Sequence, residues 1–538
     1  MIAPPAQPGP GAARVAIVLC AVYAVFWVQF SIVRPVNFGG VDEWMILSLV
    51  SRGAVDVPYA NRPLGLLFNL PVGLFPTRLL DASWLLHAHY LVMAGLFTSL
   101  LLLRLAPGRP DWALLAGVFA ATWAPSDLMR LDAIYSSAYS GVTAATALVL
   151  LLLATRGGRA VHLALAMGLA FVTTRVHEAP LPVLLLAPLL LGALGAPLPR
   201  GALAVYWSTL GLAALVAGLP LLLGRSASWY QSEVLGLYLD PAGLASRMAL
   251  QFRLHLAPLV STAPATLLKP RPLAAAALLV LALALLRRPV ASVPTSRRRL
   301  ARAVVVGVVG AAAAYSSFIV AAKLPGATRT EFLAAPWIGL ALGAGIVLVG
   351  DAFPSRARFA IVATLGAGVA ACGAVRVEQL QAVWDATGFY ERQSGALRQM
   401  IRVASDFKAG TLVLYIEGLP TWIGSFAFHH GLEVVYGRHV AGCVPNERAQ
   451  LFYRCWQSGE GIRHEPWPVL RAAWGAEPRT YRFDEVAVFR ADAAGRIELL
   501  EEWPADLPAL PVGGRYEPRL RLVHAASPPA TRLGLPGF

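Results

Sequence analysis

The chain has 538 residues, of which 57% are hydrophobic and only 14% are charged. A soluble globular protein is excluded, because so few polar residues cannot cover the surface of a chain this long. The net charge of +15 does not indicate nucleic-acid binding, since most arginines fall in short segments between apolar runs and no basic, aromatic face is recognisable. We therefore expect an integral membrane protein whose partner is the lipid bilayer.

The apolar runs predict the number of membrane spans. Residues 15–33 are expected to form a retained first span, because this run is too long for the core of a signal peptide and has no clear cleavage site. Ten further runs have the hydropathy of a span. They lie near residues 84–103, 111–125, 134–154, 160–174, 179–197, 202–224, 272–286, 303–324, 332–350 and 359–376. The sequence thus predicts a mainly α-helical bundle with about eleven spans.

The arginines between these runs predict the orientation. They fall in alternate loops, at residues 104–109, 156–159, 200, 287–302 and 356–358. By the positive-inside rule, these loops and the N-terminus face the cytoplasm. The first external loop (34–83), the segment 225–271 and the tail after residue 376 then lie outside the plasma (inner) membrane. Any chemistry is expected on that extracytoplasmic side.

The tail, residues 377–538, differs from the transmembrane domain 1–376 because its apolar runs are shorter and its charge is higher. Helical spacing over 391–407 and strand-like patterns predict a small α/β domain. The predicted strands cover 411–418, 432–437, 485–492 and 496–503. Cys443 and Cys455 are expected to form a disulfide in this oxidising compartment, the alternative being two free thiols. Cys20 and Cys372 lie in spans and are expected to be core residues.

Two carboxylates, Asp42 and Glu43, follow the first span by about eight residues. The next residues, 43–53, have the pattern of a short helix lying on the membrane surface, so that a carboxylate there would face the headgroup layer. Tyr59 and Arg62 come next. Prolines interrupt the following apolar stretch, and we expect segment 57–75 to be re-entrant or interfacial.

The first span, the acidic pair in "VDEW" (41–44), "YANRPLG" (59–65), the many further spans and the external tail together resemble the GT-C superfamily of membrane glycosyltransferases. The chain is similar to bacterial, family 39-like members. The resemblance implies transfer of a sugar from a polyprenyl-phosphate carrier to an extracytoplasmic acceptor in the cell envelope. By resemblance, Asp42 is the base that activates the acceptor hydroxyl, and Glu43 is the alternative base or its orienting partner. The alternative is that both residues only cap the surface helix.

Further charged residues are predicted to lie at the outer ends of spans. Arg175, His177 and Glu178 in "TTRVHEAP" (173–180) are candidates for substrate or phosphate binding, together with Tyr59 and Arg62. The alternative is a local salt bridge between Arg175 and Glu178, with His177 satisfying backbone groups. Two aspartates in the loop before the fourth predicted span are expected either to complete an external cavity or to be ordinary solvated loop residues, and the second interpretation is favoured. They are Asp127 and Asp132.

A late external turn, "AAKLPGATRTEF" (321–332), supplies two more cations. Lys323 and Arg329 flank its Pro-Gly turn and are candidates for binding the carrier phosphate, a role that the resemblance favours for Arg329. The alternative is that both side chains snorkel at the membrane interface. Segment 225–271 is amphipathic and is expected to cover the cavity or to form a structural lid. No ligand spacing for a metal is recognisable, although a divalent cation is compatible with carboxylates near a phosphate.

Two other functions are compatible with a polytopic, arginine-rich chain. A transporter or flippase for lipid-linked saccharides is expected to contain internal repeats, and none is visible. A non-catalytic envelope-assembly protein on the same fold differs from the enzyme by as little as one substitution. An Asp42 open to a connected cavity favours the enzyme, and a filled cavity favours the scaffold.

Overall fold

The chain joins a bundle of apolar helices to a small α/β region at its C-terminus. A computed structural model describes residues 11–57, 62–122, 127–155, 160–222, 238–287, 296–320, 330–445, 452–468, 470–471, 475–524, 535–536 and 538, with the backbone alone at 217–222 and 330. The helices are α1 (Ala12–Phe30), α2 (Glu43–Val50), α3 (Leu79–Leu105), α4 (Pro110–Thr122), α5 (Ala133–Ala154), α6 (Ala160–Val176), α7 (Leu181–Ala193), α8 (Arg200–Leu222), α9 (Pro241–Ser261), α10 (Pro264–Leu267), α11 (Pro270–Leu286), α12 (Arg297–Ile319), α13 (Thr330–Gly350), α14 (Ser355–Thr387), α15 (Tyr390–Val403) and α16 (Ser425–Tyr436).

Among the described residues, six helices are long and apolar enough to cross a bilayer. They are α1, α3, α5, α12, α13 and α14. With a rise of 1.5 Å per residue, the 19 residues of α1 extend for about 28 Å, close to the thickness of the hydrocarbon layer. Shorter apolar helices, α6, α7, α8 and α11, accompany them. A multi-pass membrane protein is thus confirmed, while the count of eleven spans stays a prediction.

Glycines allow three helices at the centre of the bundle to approach closely. A Cβ added to Gly95 in α3 would lie 2.4 Å from the Gly117 carbonyl oxygen in α4. One added to Gly339 in α13 would lie 2.5 Å from the Ala116 carbonyl oxygen, also in α4. Small residues at such contacts are typical of membrane helix packing. They explain why α4 is buried along its length, apart from Asp111.

Arginine-rich loops meet at one end of the bundle. The Asp351 carboxylate accepts hydrogen bonds from Arg109 at 2.8 Å and from Arg358 at 2.7 Å. Arg299 donates to the Leu194 carbonyl at 3.0 Å. The loops before α4, α8, α12 and α14 therefore lie together, as their alternation in the sequence predicts. The side of the membrane that they face stays a prediction.

The C-terminal region contains three small sheets. Its strands are β1 (Asp406–Phe407), β2 (Thr411–Ile416), β3 (Val440–Cys443), β4 (Tyr453–Ser458), β5 (Gly461–Pro466), β6 (Arg479–Tyr481), β7 (Val486–Ala491), β8 (Ile497–Leu499) and β9 (Leu522–Val523). The first sheet has the order β3-β2-β7-β8, in which β2 is parallel to β3 and β7. The antiparallel strands β4, β5 and β6 form the second sheet, and β1 pairs with β9.

The structure corrects one predicted element of this region. The helix predicted over 391–407 is confirmed as α15, and three predicted strands correspond to β2, β7 and β8. The strand predicted at 432–437 is wrong, because these residues belong mainly to α16. A short apolar run suits either element. Here the helix is favoured because the parallel strands β2 and β3 need a crossover connection between them.

The predicted disulfide is confirmed. Cys443 at the end of β3 is bonded to Cys455 in β4, which joins the first sheet to the second. A disulfide fits an extracytoplasmic location, since the cytoplasm keeps thiols reduced. Cys372 is buried as expected, but the expectation that Cys20 is a core residue is wrong. Cys20 lies on the exposed surface of α1, where the surrounding lipid suits an apolar thiol.

The first external loop shares a hydrophobic core with the C-terminal region. Trp44 in α2 is fully buried beside Tyr390, and its indole N–H donates to the Gln393 side chain at 2.7 Å. All eight residues of α2 are buried, and α2 packs against α16. The prediction that this helix lies on the membrane surface with a carboxylate in the headgroup layer is therefore wrong. The C-terminal region covers the apolar side chains that the prediction assigned to lipid.

Candidate active site

Two buried carboxyl groups meet where the first external loop contacts the start of α5. Glu43 and Asp132 are 1% and 0% exposed, and their side chains are hydrogen-bonded to each other. The Gly39 N–H donates to Glu43 Oε1 at 2.8 Å, and the Val41 N–H donates to Oε2 at 2.9 Å. Loop residues 39–43 therefore fold around the Glu43 carboxylate, which suits an ionised group.

Asp132 forms the N-cap of α5 and is expected to hold a proton. Its Oδ1 accepts hydrogen bonds from the Ile134 and Tyr135 N–H groups at 3.1 and 3.0 Å. Burial, and then the charge of Glu43, raise the pKa of the Asp132 carboxyl well above its ordinary value. Two touching carboxylates in a dry site cannot both ionise at low cost. The raised pKa assigns a proton to Asp132, which is hydrogen-bonded to the Glu43 side chain.

Asp42 precedes this pair and is half-buried, so it is more accessible than Glu43. It occupies the N-cap position of α2, where its carbonyl accepts the Ile46 N–H at 2.9 Å. Its side chain makes no capping hydrogen bond to the described backbone of α2. Glu43 bonds amides of the preceding loop. The interpretation of Glu43 as a solvated cap of a surface helix is therefore wrong, while the roles of Asp42 as base or as helix cap both stay predictions.

A second acidic group lies beside the single 3-10 turn Leu128–Leu131, which connects α4 to α5. Asp127 and Asp132 flank this turn and are both fully buried, so their interpretation as solvated loop residues is wrong. The Asp127 N–H donates to Glu331 Oε2 at 3.0 Å. His255 Nε2 lies 3.2 Å from Glu331 Oε1. Acidic groups from two separate parts of the chain thus meet at this turn.

Arg130 brings a positive charge into the same turn. Its guanidinium lies 5.9 Å from the ring centre of Phe332 and donates to the Ala121 carbonyl at 3.2 Å. Burial lowers the pKa of Arg130 to about 10, although the charges of Glu331 and Asp127 oppose this effect. The side chain is therefore still charged at neutral pH. Its second terminal nitrogen has no hydrogen-bond partner among the described residues.

The sequence analysis missed Arg130, His255 and Glu331. Each is ionisable and buried. His255 lies in α9, Glu331 at the start of α13 and Arg130 in the turn before α5. Ionisable residues within a membrane bundle are usually paired or functional. That signal was present in the sequence, but it does not name partners. His255 also contacts the Tyr315 hydroxyl, with 2.5 Å between Nδ1 and the oxygen. A buried Tyr–His–Glu chain thus connects α12, α9 and α13.

Arg62 and Glu178 form a two-pronged salt bridge. Arg62 Nε lies 2.8 Å from one carboxylate oxygen, and a terminal nitrogen lies 2.5 Å from the other. The suggested bridge between Arg175 and Glu178 is therefore wrong. Burial opposes ionisation of Glu178, but the charge of Arg62, with a smaller effect of His177, holds its pKa below the ordinary value. A phosphate would have to displace Glu178 from Arg62.

His177 and Arg175 lie at the same place, at the end of α6. His177 Nδ1 accepts the Ala179 N–H at 3.0 Å, so the histidine satisfies a backbone group as its alternative interpretation expects. Its ring centre is 5.0 Å from that of Tyr139 in α5. Arg175 is 8% exposed, and its carbonyl accepts the Leu64 N–H at 3.3 Å. The N-terminal part of α5 thus borders both this group and Asp132.

Three candidates, Tyr59, Lys323 and Arg329, lie outside the described residues. Within the part of the chain that is described, no three His, Cys, Asp or Glu side chains are placed to hold a metal ion. Comparison with known proteins gives no relative, since no family model, curated protein or solved structure matches the chain. Any functional interpretation must therefore be argued from the site itself.

Proposed function

We propose that this protein is a GT-C-type membrane glycosyltransferase that moves a sugar from a polyprenyl-phosphate carrier to an extracytoplasmic acceptor in the cell envelope. One observation carries the proposal. The hydrogen-bonded pair Glu43 and Asp132 adjoins the half-buried Asp42, in the loop that contacts the disulfide-containing region. Buried carboxyl groups are costly and usually serve chemistry when they cluster at the end of a membrane bundle.

In this proposal Asp42 is the general base. The acceptor hydroxyl attacks the anomeric carbon of the donor sugar, and its proton passes to the Asp42 carboxylate. The bond from that carbon to the phosphate oxygen breaks, and both of its electrons leave with the phosphate. The single negative charge of the Glu43–Asp132 pair favours the positive charge that develops on the sugar ring. The pair also holds the loop that carries Asp42.

The leaving phosphate needs cations. Arg62 offers a planar fork for two phosphate oxygens, and in the resting protein Glu178 occupies that fork. We assign the remaining phosphate contacts to Lys323 and Arg329, with Arg175, His177 and Tyr59 beside them. The proposal requires no cofactor, and a divalent cation is compatible with it. It includes about eleven spans in the plasma membrane, with the N-terminus in the cytoplasm.

One observation favours a second candidate, a non-catalytic envelope-assembly protein. The Glu43 carboxylate is bonded to Gly39, Val41 and Asp132, and the helix α2 is buried against α16 and α5. A carboxylate engaged in this way can serve simply to join loop to bundle. This candidate differs from the enzyme in one measurable respect, because it transfers no sugar.

The test is sugar transfer by the purified full-length protein from a panel of radiolabelled polyprenyl-phosphate sugars. Asp42→Asn is expected to reduce transfer by roughly 100-fold or more, the usual contribution of a general base. Glu391→Gln is the matched control, since Glu391 is an exposed carboxylate at the start of α15. It is expected to retain full activity.

Glu43→Gln separates the roles within the acidic pair. If Glu43 is the base, this variant loses transfer while Asp42→Asn retains it, and the assignment of the two residues is reversed. If wild type transfers no sugar from any donor, or if both variants are as active as wild type, the enzyme proposal fails. The assembly role is then the better account of the carboxyl pair.

A further inference from the structure

A cavity of about 510 Å³ lies between the first external loop and the C-terminal region. Its volume is in the range of small-molecule sites, roughly 300 to 1,000 Å³. Among the described residues, its walls include three arginines, four histidines and three carboxylates. The three arginines therefore match the three carboxylates in number, and the position of each charge decides what the cavity can bind. It is separate from the carboxyl pair, which does not line it.

Glu433 in α16 organises one wall of this cavity. Its carboxylate accepts a hydrogen bond from the Ser48 hydroxyl of α2 at 2.8 Å and lies 2.6 Å from His430 Nδ1. Burial opposes its ionisation, but the two adjacent histidines, His430 and His429, and Ser48 hold the pKa of Glu433 below its ordinary value. The protein itself therefore satisfies this negative charge, and Glu433 needs no ligand.

Two arginines approach Glu433 from different elements. Arg438, at the end of α16, has its Nε 3.6 Å from the Glu433 carboxylate and keeps 69% of its side chain exposed. Arg52 lies in the turn after α2. Burial and the charge of Arg438 lower its pKa below the ordinary value, while Glu433 and Asp56 oppose this effect. Arg52 forms no salt bridge shorter than 4 Å with any described residue. Two neighbouring guanidinium groups are well suited to one anionic ligand.

A buried histidine of the second sheet also lines the cavity and has an unsatisfied polar atom. His464 in β5 is 5% exposed and lines the cavity. It is hydrogen-bonded to the backbone of Gly442, while its Nε2 has no partner among the described residues. Burial lowers the pKa of His464 to about 4, so the ring is neutral at pH 7. With its proton on the nitrogen that faces Gly442, the ring keeps Nε2 as a hydrogen-bond acceptor.

The disulfide links β3 to β4, the strand that pairs with β5 and its His464. Cys455 pairs with His464 across the second sheet, and Cys443 follows Gly442 in β3. The His429 and His464 rings are nearly parallel, with 5.5 Å between their centres. This part of the cavity is therefore prearranged and does not depend on ligand binding for its shape. Prearranged polar groups lower the entropic cost of binding.

We propose that this cavity binds a phosphate-bearing saccharide, with the phosphate on Arg52 and Arg438 and a sugar hydroxyl on His464. The choice of a saccharide rests on the proposed function, whereas the phosphate contact rests on the two arginines of the cavity. The phosphate can belong to a free sugar phosphate or to a lipid-linked one. Both share the chemistry that the cavity recognises.

The test is a calorimetric titration of the full-length protein in nanodiscs with glucose 1-phosphate, glucose and inorganic phosphate. Glucose 1-phosphate is expected to bind saturably and more tightly than either of the other two probes. Arg52→Ala and Arg438→Ala are each expected to weaken its binding about tenfold, with partial recovery in Arg52→Lys. Arg496→Ala is the matched control, because Arg496 is 83% exposed, pairs with Asp492 and lies outside the cavity lining.

His464→Gln tests the sugar contact separately. It is expected to weaken glucose 1-phosphate binding and to leave inorganic phosphate binding unchanged. Glu391→Gln, outside both sites, is expected to bind glucose 1-phosphate as wild type does. Because the titration measures binding and not transfer, this proposal and the transferase proposal fail independently. Competition by a polyprenyl phosphate in the nanodisc supports a lipid-linked source, and lack of competition supports a free one.

Three results overturn the proposal. The first is no saturable binding of glucose 1-phosphate at concentrations up to about 10 mM, where even a weak site of millimolar affinity is filled. The second is equal binding of glucose or of inorganic phosphate, since either means that one half of the ligand is not recognised. The third is an equal loss of affinity in Arg496→Ala, which would make the effect one of overall charge.

Discussion

At the scale of single residues, the most informative feature is the contact between Glu43 and Asp132. Each carboxyl group is paired with backbone N–H donors, and the two groups also touch. Backbone donors favour the ionised form, whereas burial and like charge oppose it. Glu43 has the loop amides and Asp132 has the raised pKa, so the proton is assigned to Asp132. This assignment makes the pair a single negative charge next to Asp42.

The raised pKa of Asp132 predicts how stability depends on pH. The native state keeps a proton on Asp132 at pH values where the unfolded chain, with a pKa near 4, has lost it. The native state then binds more protons, so this group's contribution to stability is lost as pH rises above about 4. Asp132→Asn is expected to reduce the loss of stability with rising pH, because an amide has no proton to lose. Thermal unfolding midpoints of wild type and variant between pH 5 and 8 measure this pH dependence of stability.

The control for this experiment is Glu391→Gln, which removes an exposed carboxylate from the same side of the protein as the loop. It is expected to keep the wild-type pH dependence. If Asp132→Asn declines with pH as steeply as wild type does, Asp132 is ionised in the native state and the proton assignment is wrong.

At the scale of elements, close helix packing and burial of α2 position the site. α5 brings Asp132 to the loop because α3 and α13 pack against it, and α4 packs against both α3 and α13. Their packing depends on glycines that face a neighbouring backbone. In lipid, van der Waals contact between helices replaces the hydrophobic effect as the main source of stability. Loss of one close contact between two helices is therefore expected to lower the stability of the bundle.

Two glycines of α13 give a matched test of this packing. A Cβ at Gly339 would lie 2.5 Å from the Ala116 carbonyl oxygen, whereas one at Gly345 would have no other atom within 4 Å. Gly339→Ala is expected to cost about 1 to 3 kcal/mol, the usual effect of overpacking. Gly345→Ala is expected to be neutral or slightly stabilising. Unfolding midpoints in detergent measure both. Equal midpoints for the two variants would contradict close packing of α13 on α4.

At the scale of the whole molecule, the first external loop ties the bundle to the C-terminal region. Trp44 and Ser48 of α2 contact Gln393 of α15 and Glu433 of α16. The chain also passes directly from α14 to α15, so two connections join the parts. A change in the C-terminal region therefore has a direct route to the loop that carries Asp42.

The orientation of this whole assembly can be measured with single cysteines. In a chain with Cys20 and Cys372 replaced by serine, Gly459→Cys is expected to react with a membrane-impermeant maleimide in intact cells, because residue 459 is exposed in the disulfide-containing region. Arg356→Cys, exposed at the arginine-rich end, is expected to react only after the membrane is opened. The reverse pattern would invert the topology and move the candidate site into the cytoplasm.

The disulfide gives a second prediction at this scale. Replacing Cys443 and Cys455 together by serine is expected to destabilise the C-terminal region by about 2 to 4 kcal/mol, since the bond closes a short loop between two sheets. Limited proteolysis of wild type and variant measures the effect. Equal resistance to cleavage would show that the shared core with α2 alone maintains the region.

The sequence by itself determined that the chain spans a membrane, where its basic loops meet and that a disulfide links Cys443 to Cys455. These follow from local composition, because a run of apolar side chains or a thiol in an oxidising compartment has few alternatives. Helix α15 was predictable for the same reason, since its periodicity is local. The strand predicted at 432–437 failed because a short apolar run does not reveal whether a crossover helix is needed there.

Only the tertiary structure decided which charged groups meet. Glu43 contacts Asp132 and Arg62 contacts Glu178, and each pair joins residues far apart in the chain. Periodicity and hydropathy describe a residue's own segment, whereas pairing depends on how helices pack around it. The burial of α2 is a further case, because its apolar side chains suit lipid and protein equally well. Its location became clear only when the C-terminal region was seen to cover it.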